Sequence, residues 1–414
     1  MAAFTFVCSE CGACFAEREV RYVCPACAAR QVAGGATRGV LRVELDEPAR
    51  HWPEEPLHSP EGLARFLPVH AAFVPPLPVG GTPLLSVPRL RRELGLRRLW
   101  LKDDGRNPSG STKDRASQLV VAKAFEYGYD TVAAASTGNA ASALAAVAAA
   151  AAMRAVVFVP AAAPQAKLVQ IAAYGAHLVP VAGSYDDAFE LSLAACERFG
   201  WYNRNTAFNP FTIEGKKTAA LEIAAALAPE TPDVVLVPTG DGVVIAGVAK
   251  GFADLARGGL IERVPRLIAV QPEGSAAIAR ALRGGAAEVT PVTGAHSVAD
   301  SLVVNAPRNA ILALRDVRAS GGTGVIVSDE AIVTAIARLA AATGVFAEPA
   351  AAAVLAGLEA ALEEGLVGRD ERVVLLVTGT GLKDVPAAAR AVRIPEPVPA
   401  DLEAVGALLG NGGG

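Results

Sequence analysis

Residues 102–116, with the sequence KDDGRNPSGSTKDRA, decide how this chain is interpreted. They follow a short apolar run, and the glycines and the proline predict a turn that leads from a strand into a helix. Lys113 falls just inside that helix, where the helix dipole and the loss of solvent both lower the pKa of an amine. A neutral amine can attack a carbonyl, so this position suits a Schiff-base lysine. The stretch alone also fits a solvated surface lysine, and both interpretations stay open at this point.

Outward from this turn, short apolar runs alternate with helix-length segments. Strands that are apolar throughout and are separated by helices predict an α/β fold of mostly parallel sheet with flanking helices. We predict a large lobe from residues 80–119 and 206–394 and a small lobe from residues 120–205. We expect an extended proline-rich arm at residues 31–79 and a flexible tail at residues 395–414.

Three further predicted strands end in polar turns: STGN at residues 136–139, PTGDGVV at residues 238–244 and TGTGLKD at residues 378–384. Ligands of open α/β sheets bind at the carboxyl ends of strands, where helix N-termini face a crevice. The hydroxyls and amide of the first turn could hold a carboxylate, and the glycines of the second let backbone N–H groups converge on a phosphate. Taken singly, each is equally an ordinary helix N-cap or glycine-rich turn.

Composition narrows the class of protein. The chain has 414 residues, a length that suits a two-lobed enzyme, and much of its 52% hydrophobic content is alanine. We find neither an apolar run long enough for a transmembrane helix nor the pattern of a secretory signal. A net charge of −4 does not indicate a basic surface that would bind nucleic acid or an anionic membrane. We therefore expect a cytoplasmic protein.

Five of the six cysteines lie within the first thirty residues. Cys8, Cys11, Cys24 and Cys27 form two C-x-x-C pairs, the spacing of a tetrahedral thiolate zinc site. We predict a zinc-ribbon-like head at residues 1–30 with a structural ion outside the proposed site. The alternative is a degenerate ribbon of reduced thiols. Cys196, far from the others, is expected to pack in the core.

Together these segments resemble one family. The stretch 102–116 is similar to the pyridoxal-phosphate (PLP) lysine segment of the fold-type-II, tryptophan-synthase-β-like enzymes, in the form typical of threonine synthases. ASTGNAASA (135–143), NPFTIEGKKT (209–218), TGTGLKD (378–384) and GGTPL (80–84) resemble further motifs of that family and occur in its order. An N-terminal cysteine ribbon also occurs in some threonine synthases. The resemblance implies a fold-type-II PLP enzyme, a carbon–oxygen lyase acting on a small amino acid.

The resemblance also implies roles around the cofactor. Lys113 would form the Schiff base and later move the α-proton as acid and base. Asn139 would hydrogen-bond the ring oxygen of PLP, and Thr378 would face the pyridine nitrogen. A hydroxyl at that nitrogen moderates the electron sink, which suits elimination and replacement more than transamination.

Further roles follow for the cofactor phosphate and the substrate. Ser136 and Thr137 would bind the carboxylate of the amino acid. Glu348 matches a glutamate near the ring in relatives, although a charge at a helix N-terminus is an equal interpretation. The backbone amides that would bind the cofactor phosphate belong to Gly240, Gly242, Val243 and Val244.

The chain departs from the family where the phosphate of O-phosphohomoserine would bind. Aligned on Asn209, it has Thr206 and Thr212 in place of an asparagine and an arginine. Asp241 replaces another asparagine, and Thr380 replaces the histidine of TGHGLKD. Losing a charge-assisted hydrogen bond from arginine costs roughly 1.5–3 kcal/mol.

Other cations could compensate for the missing arginine: Lys216, Lys217, Arg204 or Arg308. We expect Arg204 in particular to be a solvated surface residue. Which of these four side chains lies near the proposed site depends on the tertiary structure.

Three hypotheses therefore stand. The first is threonine synthase, and the second is another PLP enzyme of the same fold, either cysteate-synthase-like or a serine/threonine ammonia-lyase. The third is a non-catalytic regulator whose head binds a partner, against which the presence of Lys113 and Asn139 argues. The expected partner is a small amino-acid substrate, with no nucleic acid or membrane, and a homodimer is expected because dimers are common in this fold.

Overall fold

The computed structural model describes residues 3–32, 34–163 and 165–410. Its strands are β1 Phe4–Cys8, β2 Cys14–Ala16, β3 Leu41–Leu45, β4 Leu84–Ser86, β5 Arg98–Asp103, β6 Thr131–Ala135, β7 Arg154–Pro160, β8 His177–Val181, β9 Tyr202–Asn203, β10 Val234–Pro238, β11 Arg266–Pro272, β12 Thr323–Val327 and β13 Arg372–Val377.

The α-helices are α1 Pro25–Ala28, α2 Pro60–Phe66, α3 Pro88–Glu93, α4 Lys113–Glu126, α5 Asn139–Ala150, α6 Gln165–Ala173, α7 Tyr185–Phe199, α8 Phe211–Lys216, α9 Thr218–Leu227, α10 Val243–Arg257, α11 Ala277–Arg283, α12 Ala310–Ala319, α13 Asp329–Thr343, α14 Pro349–Glu363, α15 Val385–Ala389 and α16 Leu402–Gly410. Short 3-10 helices span Ala71–Phe73, Asp104–Arg106, Glu273–Ser275, Asp300–Leu302 and Gly381–Lys383.

Two mostly parallel sheets form the body of the protein. The larger has the strand order β12-β11-β10-β13-β5-β4, with only the edge strand β4 antiparallel to its neighbour. The smaller, β8-β7-β6-β9, is parallel throughout. The predicted α/β class of fold type II is confirmed. The strands of the larger sheet fall in the sequence ranges predicted for the large lobe, and those of the smaller sheet fall within residues 120–205.

Helices cover both faces of the larger sheet, which explains why its strands are apolar on both sides. One face packs on α13 and α14, and the other packs on α9, α10 and α12. Seven of the fifteen residues of α14 are alanine, and the small side chains let this helix lie close to β10, β11 and β12. Within the described residues, no helix is long and apolar enough to cross a bilayer.

A small antiparallel sheet of order β2-β1-β3 makes up the N-terminal part, which we call the cysteine head (residues 3–45). It extends past the predicted boundary at residue 30, because β3 completes its sheet. The apolar side chains of β1 and β3 belong to the same buried cluster as those of α4 and α5. The head therefore shares its hydrophobic core with α4 and α5 of the body of the protein.

Two segments are more regular than the sequence suggested. In the proline-rich arm, Pro60 starts α2 and Ser59 caps it, its hydroxyl accepting a hydrogen bond from the amide of Gly62. Proline suits the first helical turn, where no N–H is needed. The predicted flexible tail is helical over α16. Its side chains Leu402 and Leu409 are 89% and 73% exposed, so the flexibility of the tail stays a prediction, while residues 411–414 lie outside the described part.

A buried ion cluster fixes the start of α4. Arg115 donates from Nε and Nη2 to the Asp104 carboxylate, at 2.8 and 2.7 Å, and from Nη1 and Nη2 to Glu222, at 2.7 and 2.9 Å. Lys102 donates to Glu222 at 2.6 Å and to the carbonyl of Thr82. Two cations thus meet two carboxylates, which lowers the pKa of both acids despite their burial. Arg115 is two residues from Lys113, so this cluster fixes the backbone that carries the proposed Schiff-base lysine.

We expect Glu222→Gln to destabilise the protein by about 3–5 kcal/mol, because it removes one charge of a buried cluster and leaves Lys102 without its carboxylate partner. Denaturant-induced unfolding measures this loss. Glu93→Gln is the matched control: its exposed pair with Arg89 contributes less than about 0.5 kcal/mol. Equal effects of the two substitutions would contradict a special role for the cluster.

Candidate active site

The four polar turns lie after β5, β6, β10 and β13, and three of these strands are neighbours in the larger sheet. Backbone hydrogen bonds join the turns after β5 and β13: the amide of Thr112 donates to the carbonyl of Thr378 at 2.8 Å, and that of Thr380 to Gly110 at 3.1 Å. The amide of Glu348 donates to Gly379 at 3.1 Å. Segments distant in sequence therefore form one connected surface at the carboxyl ends of the strands.

Lys113 is the first residue of α4 and is half-buried. Burial lowers the pKa of its amine, Glu348 opposes that shift, and Arg204 reinforces it. The hydroxyls of Ser111 and Thr112 are buried without a hydrogen-bond partner in the described part of the chain. Since buried polar groups are normally bonded, these two are free for a ligand.

Asn139 begins α5, and its amide nitrogen donates to both oxygens of Glu348, at 3.0 and 2.9 Å. Glu348 stands at the N-cap of α14, yet its side chain makes no capping hydrogen bond. Burial raises the pKa of its carboxyl, partly offset by Lys113. The side chain of Glu348 contacts Asn139 and lies near Lys113. These contacts agree with the interpretation that it is a carboxylate near the cofactor ring rather than only a charge at a helix N-terminus.

The glycine turn after β10 leads into α10. Gly242 has φ +86°, and an added Cβ would lie 2.8 Å from the Cβ of Ala313; at Gly240 it would lie 3.1 Å from the carbonyl oxygen of Ser301. Asn309 supports the turn by donating to the carbonyl of Gly242 at 3.1 Å. The first N–H groups of α10, from Val243 onward, have no partner within a helix. The turn thus has the form of an anion cradle.

A cleft of about 240 Å3 opens beside Asn139 and Glu348. Thr137 lines it, whereas the hydroxyl of Ser136 accepts a hydrogen bond from the amide of Gly138. The remaining lining residues include Gly138, Ser142, Gln170, Pro349, Lys383 and Asp384.

Lys383 is a residue of the cleft that the sequence reasoning passed over. Its ammonium donates to Ser142 at 2.9 Å and to Gln170 at 2.6 Å, which joins the turn after β13 to α5 and α6 across the cleft. Burial lowers its pKa to about 8, against the opposing effect of Glu348. Its position in TGTGLKD was the available signal, but the sequence did not show which helices it would reach.

Two of the four candidate cations lie beside Lys113 without a carboxylate partner among the described residues. Arg204 is only 1% exposed, so the expectation of a surface residue is wrong. It donates to Ser117 and Thr206, while its Nη2 is buried without a partner among the described residues. Lys216 is also buried, and desolvation, reinforced by Arg204 and Lys113, holds its pKa well below the ordinary value.

The other two cations are already engaged. Lys217 is bonded to Glu214 and, at 2.9 Å, to Asp254. Arg308 pairs with Asp186 at 2.7 Å. Neither is available to a ligand in this arrangement.

The residues that differ from the family at the expected substrate-phosphate site make hydrogen bonds within the protein. Thr212 is 0% exposed, and its hydroxyl donates to the carbonyl of Asn209 at 2.7 Å, so it does not line the cleft. Thr206 accepts from Arg204 at 2.8 Å. Asp241 accepts from the amide of Arg308 at 3.1 Å, and burial raises the pKa of its carboxyl. Thr380 caps the short helix Gly381–Lys383.

The sulfur atoms of Cys8, Cys11, Cys24 and Cys27 all lie within 4.8 Å of one another. Cys8 and Cys27 are 3.7 Å apart, and Cys11 and Cys24 are 3.8 Å apart. Tetrahedral zinc–sulfur bonds of about 2.3 Å place sulfurs about 3.8 Å apart, so these four could hold a zinc ion. Cys196 is buried in the small lobe, apart from the cluster.

Comparison with known proteins agrees with this geometry. The family model described as "Pyridoxal-phosphate dependent enzyme" matches residues 76–379, so the chain belongs to the PLP-dependent enzymes. The threonine synthase of Methanosarcina acetivorans is 37% identical over 403 residues, 96% of either chain. That of Methanocaldococcus jannaschii is 36% identical over 408 residues, 97% of this chain and 98% of the relative. Within the PLP enzymes, the chain is a member of the threonine synthase family.

A solved structure shares the fold. The structure of maize serine racemase matches with a TM-score of 0.64 at 25% sequence identity, covering 74% of this chain and 90% of that one. The resemblance predicted from the four turns is thereby confirmed at the level of family and cofactor class.

We expect borohydride reduction of the holoenzyme and peptide mapping to find the pyridoxyl adduct on Lys113, and Lys113→Ala to abolish the yellow absorbance. Lys216→Met is the control, because Lys216 is another buried amine near Lys113 with a lowered pKa. That variant should keep the adduct. Loss of the adduct in Lys216→Met and its retention in Lys113→Ala would reverse the assignment.

Gly242→Ala should weaken PLP binding by roughly tenfold or more, since the added Cβ is strained at φ +86° and meets Ala313. Fluorescence titration of the apoenzyme with PLP measures the affinity. Gly259→Ala is the control, having φ +75° but open space around its Cβ. If both variants bind PLP equally well, the turn is not the phosphate cradle.

Proposed function

We propose that the chain is a threonine synthase that converts O-phosphohomoserine to threonine and phosphate. In this reaction the Cγ–O bond breaks with release of phosphate, and water then adds its hydroxyl to Cβ. The observation that carries the proposal is a pair of buried cations beside Lys113, Arg204 and Lys216, for which the described residues supply no carboxylate partner. The geometry of the cofactor site and the relatives named threonine synthase support it.

The residues present fit PLP, which when bound supplies an electron sink for the α-carbon. Lys113 would hold the aldehyde, and Asn139 and Thr378 would meet the ring oxygen and the ring nitrogen. Ser111 and Thr112 offer unbonded hydroxyls nearby. The amides that would hold its phosphate are those of Gly240, Gly242, Val243 and Val244, at the start of α10.

The residues around the cofactor would then have separate roles. The Nζ atom of Lys113, with its lowered pKa, can take a proton from the α-carbon and return one. Thr137 lines the cleft, where its hydroxyl would bind the substrate carboxylate together with Ser136. Glu348 orients the amide of Asn139 through two hydrogen bonds.

The two unpaired cations favour a phosphorylated substrate. A buried charge without a counter-ion is unfavourable, and a bound dianion would relieve it at Arg204 and Lys216 together. By contrast, the buried cations Arg115 and Lys217 each have a carboxylate partner. Arg204 and Lys216 would thus replace the arginine that the family has at the position of Thr212.

The alternative is another PLP enzyme of this fold, cysteate-synthase-like or a serine/threonine ammonia-lyase. The observation that favours it is Thr212. Where the family has an arginine that would reach the substrate, this chain has a threonine whose hydroxyl is bonded to the carbonyl of Asn209. Product identification separates the two: threonine and phosphate for the synthase, an α-keto acid and ammonia for the lyase. A homodimer, expected from the fold, and a cytoplasmic location, expected from the composition, stay predictions.

We expect Arg204→Met to raise KM for O-phosphohomoserine roughly 10- to 100-fold, the equivalent of one charge-assisted hydrogen bond. Arg204→Lys should lose less, because it keeps the charge. Steady-state phosphate release measures both. An unchanged KM in Arg204→Met would remove this residue from the phosphate site.

A further inference from the structure

The cysteine head lies directly against the segment that carries Arg204, which we call the Arg204 segment (residues 202–212). The hydroxyl of Tyr22 accepts a hydrogen bond at 2.9 Å from the amide of Asn203, the residue before Arg204. Asn203 is buried, so this amide depends on Tyr22 rather than on water. The head was expected to act away from the site, whereas it holds the backbone beside the free guanidinium.

Aromatic contacts extend the same attachment. The ring of Tyr22 stacks on Phe208, with centroids 4.9 Å apart and an interplanar angle of 29°. Phe4 and Phe6 of β1 pack on Phe211 at 6.0 and 5.7 Å. Phe211 is the first residue of α8, and Lys216 is the last. The head therefore contacts both elements that present the unpaired cations.

Few regular hydrogen bonds hold the part of the head around Tyr22. Tyr22 is two residues before Cys24, and the nearby elements β2 and α1 have only 3 and 4 residues. A metal bound to the four sulfurs would fix this stretch, because it joins the turn of Cys8 and Cys11 to that of Cys24 and Cys27. A bound metal would then hold the Tyr22 hydroxyl in place together with the stacked ring of Phe208 and the bridge between Val23 and Val40.

We propose that Tyr22 is a positioning residue for the phosphate-binding cations, so that metal bound in the cysteine head sets the affinity for a phosphorylated ligand. This inference rests on the proposed function in one respect, the role of Arg204 and Lys216 in binding phosphate. Tyr22 touches neither cofactor nor substrate; it acts through the backbone of Asn203. Its effect belongs in ligand affinity and not in the chemical step.

The variant that tests this is Tyr22→Phe, which keeps the stacked ring and removes only the hydroxyl. Tyr129→Phe is the matched control: its ring lies 5.0 Å from that of Tyr202, in the same aromatic group, and its hydroxyl has no hydrogen bond in the described part of the chain. In the zinc-loaded holoenzyme we expect Tyr22→Phe to raise KM for O-phosphohomoserine about threefold to tenfold with kcat unchanged. The control should leave both constants as they are.

Two further measurements do not depend on turnover. Hydrogen–deuterium exchange of peptides covering residues 201–206 should increase in Tyr22→Phe, while peptides of α14 stay unchanged. The affinity for inorganic phosphate, measured by calorimetry, should fall by the same factor as KM rises. If the wild type releases no phosphate from O-phosphohomoserine, the proposed function fails, and these two measurements still decide the role of Tyr22.

The role of the metal is tested by chelation. Removing zinc from the wild type should reproduce the faster exchange at residues 201–206 and the weaker phosphate binding. In Tyr22→Phe the same treatment should add little, because the link is already broken. Unchanged exchange and phosphate affinity in Tyr22→Phe would overturn the positioning role, and equal, additive effects of chelation in both proteins would overturn the link to the metal.

Discussion

Arg115 bonds two carboxylates from different elements, and the geometry of the proposed site depends on that contact. Asp104 follows β5 and Glu222 lies on α9, so the guanidinium of Arg115 joins the first turn of α4 to the end of β5 and to α9. A buried ion pair contributes little net stability over an apolar contact, but breaking one is costly. The cluster therefore specifies one position for α4, and with it one position for Lys113.

Two kinds of buried charge occur within a short distance of each other. Beneath the site, Arg115 and Lys102 are matched by Asp104 and Glu222. At the site, Lys113, Lys216 and Arg204 lie together, and desolvation lowers the pKa of each cation although nearby acids such as Glu348 and Asp241 oppose the shift at the two lysines. A matched cluster maintains a structure, whereas an unmatched one is suited to a ligand of opposite charge. This contrast supports a phosphorylated substrate more strongly than any single motif.

Much of the site could be predicted because its motifs are local. The turn around Lys113 and the glycine turn before α10 have a form set by their own glycines, and both follow strands as expected. The surroundings of the cations were harder to predict. Arg204 was expected at the surface, and Thr212 was considered as a possible pocket residue. Both depend on how residues 202–216 pack against α4 and the cysteine head, which no short stretch encodes. Lys383 was missed for the same reason, since its partners lie on α5 and α6.

The sequence by itself determined the α/β class, the four strand-end turns, the cofactor lysine as a candidate and the spacing of the four cysteines. Each of these follows from residues within one turn or one strand, where backbone preferences and hydrophobic periodicity act locally. Only the tertiary structure decided which cations stay unpaired, that Glu348 meets Asn139, and that the cysteine head contacts the Arg204 segment. Burial and charge pairing are sums over residues far apart in the chain, so they exist only once the elements are packed.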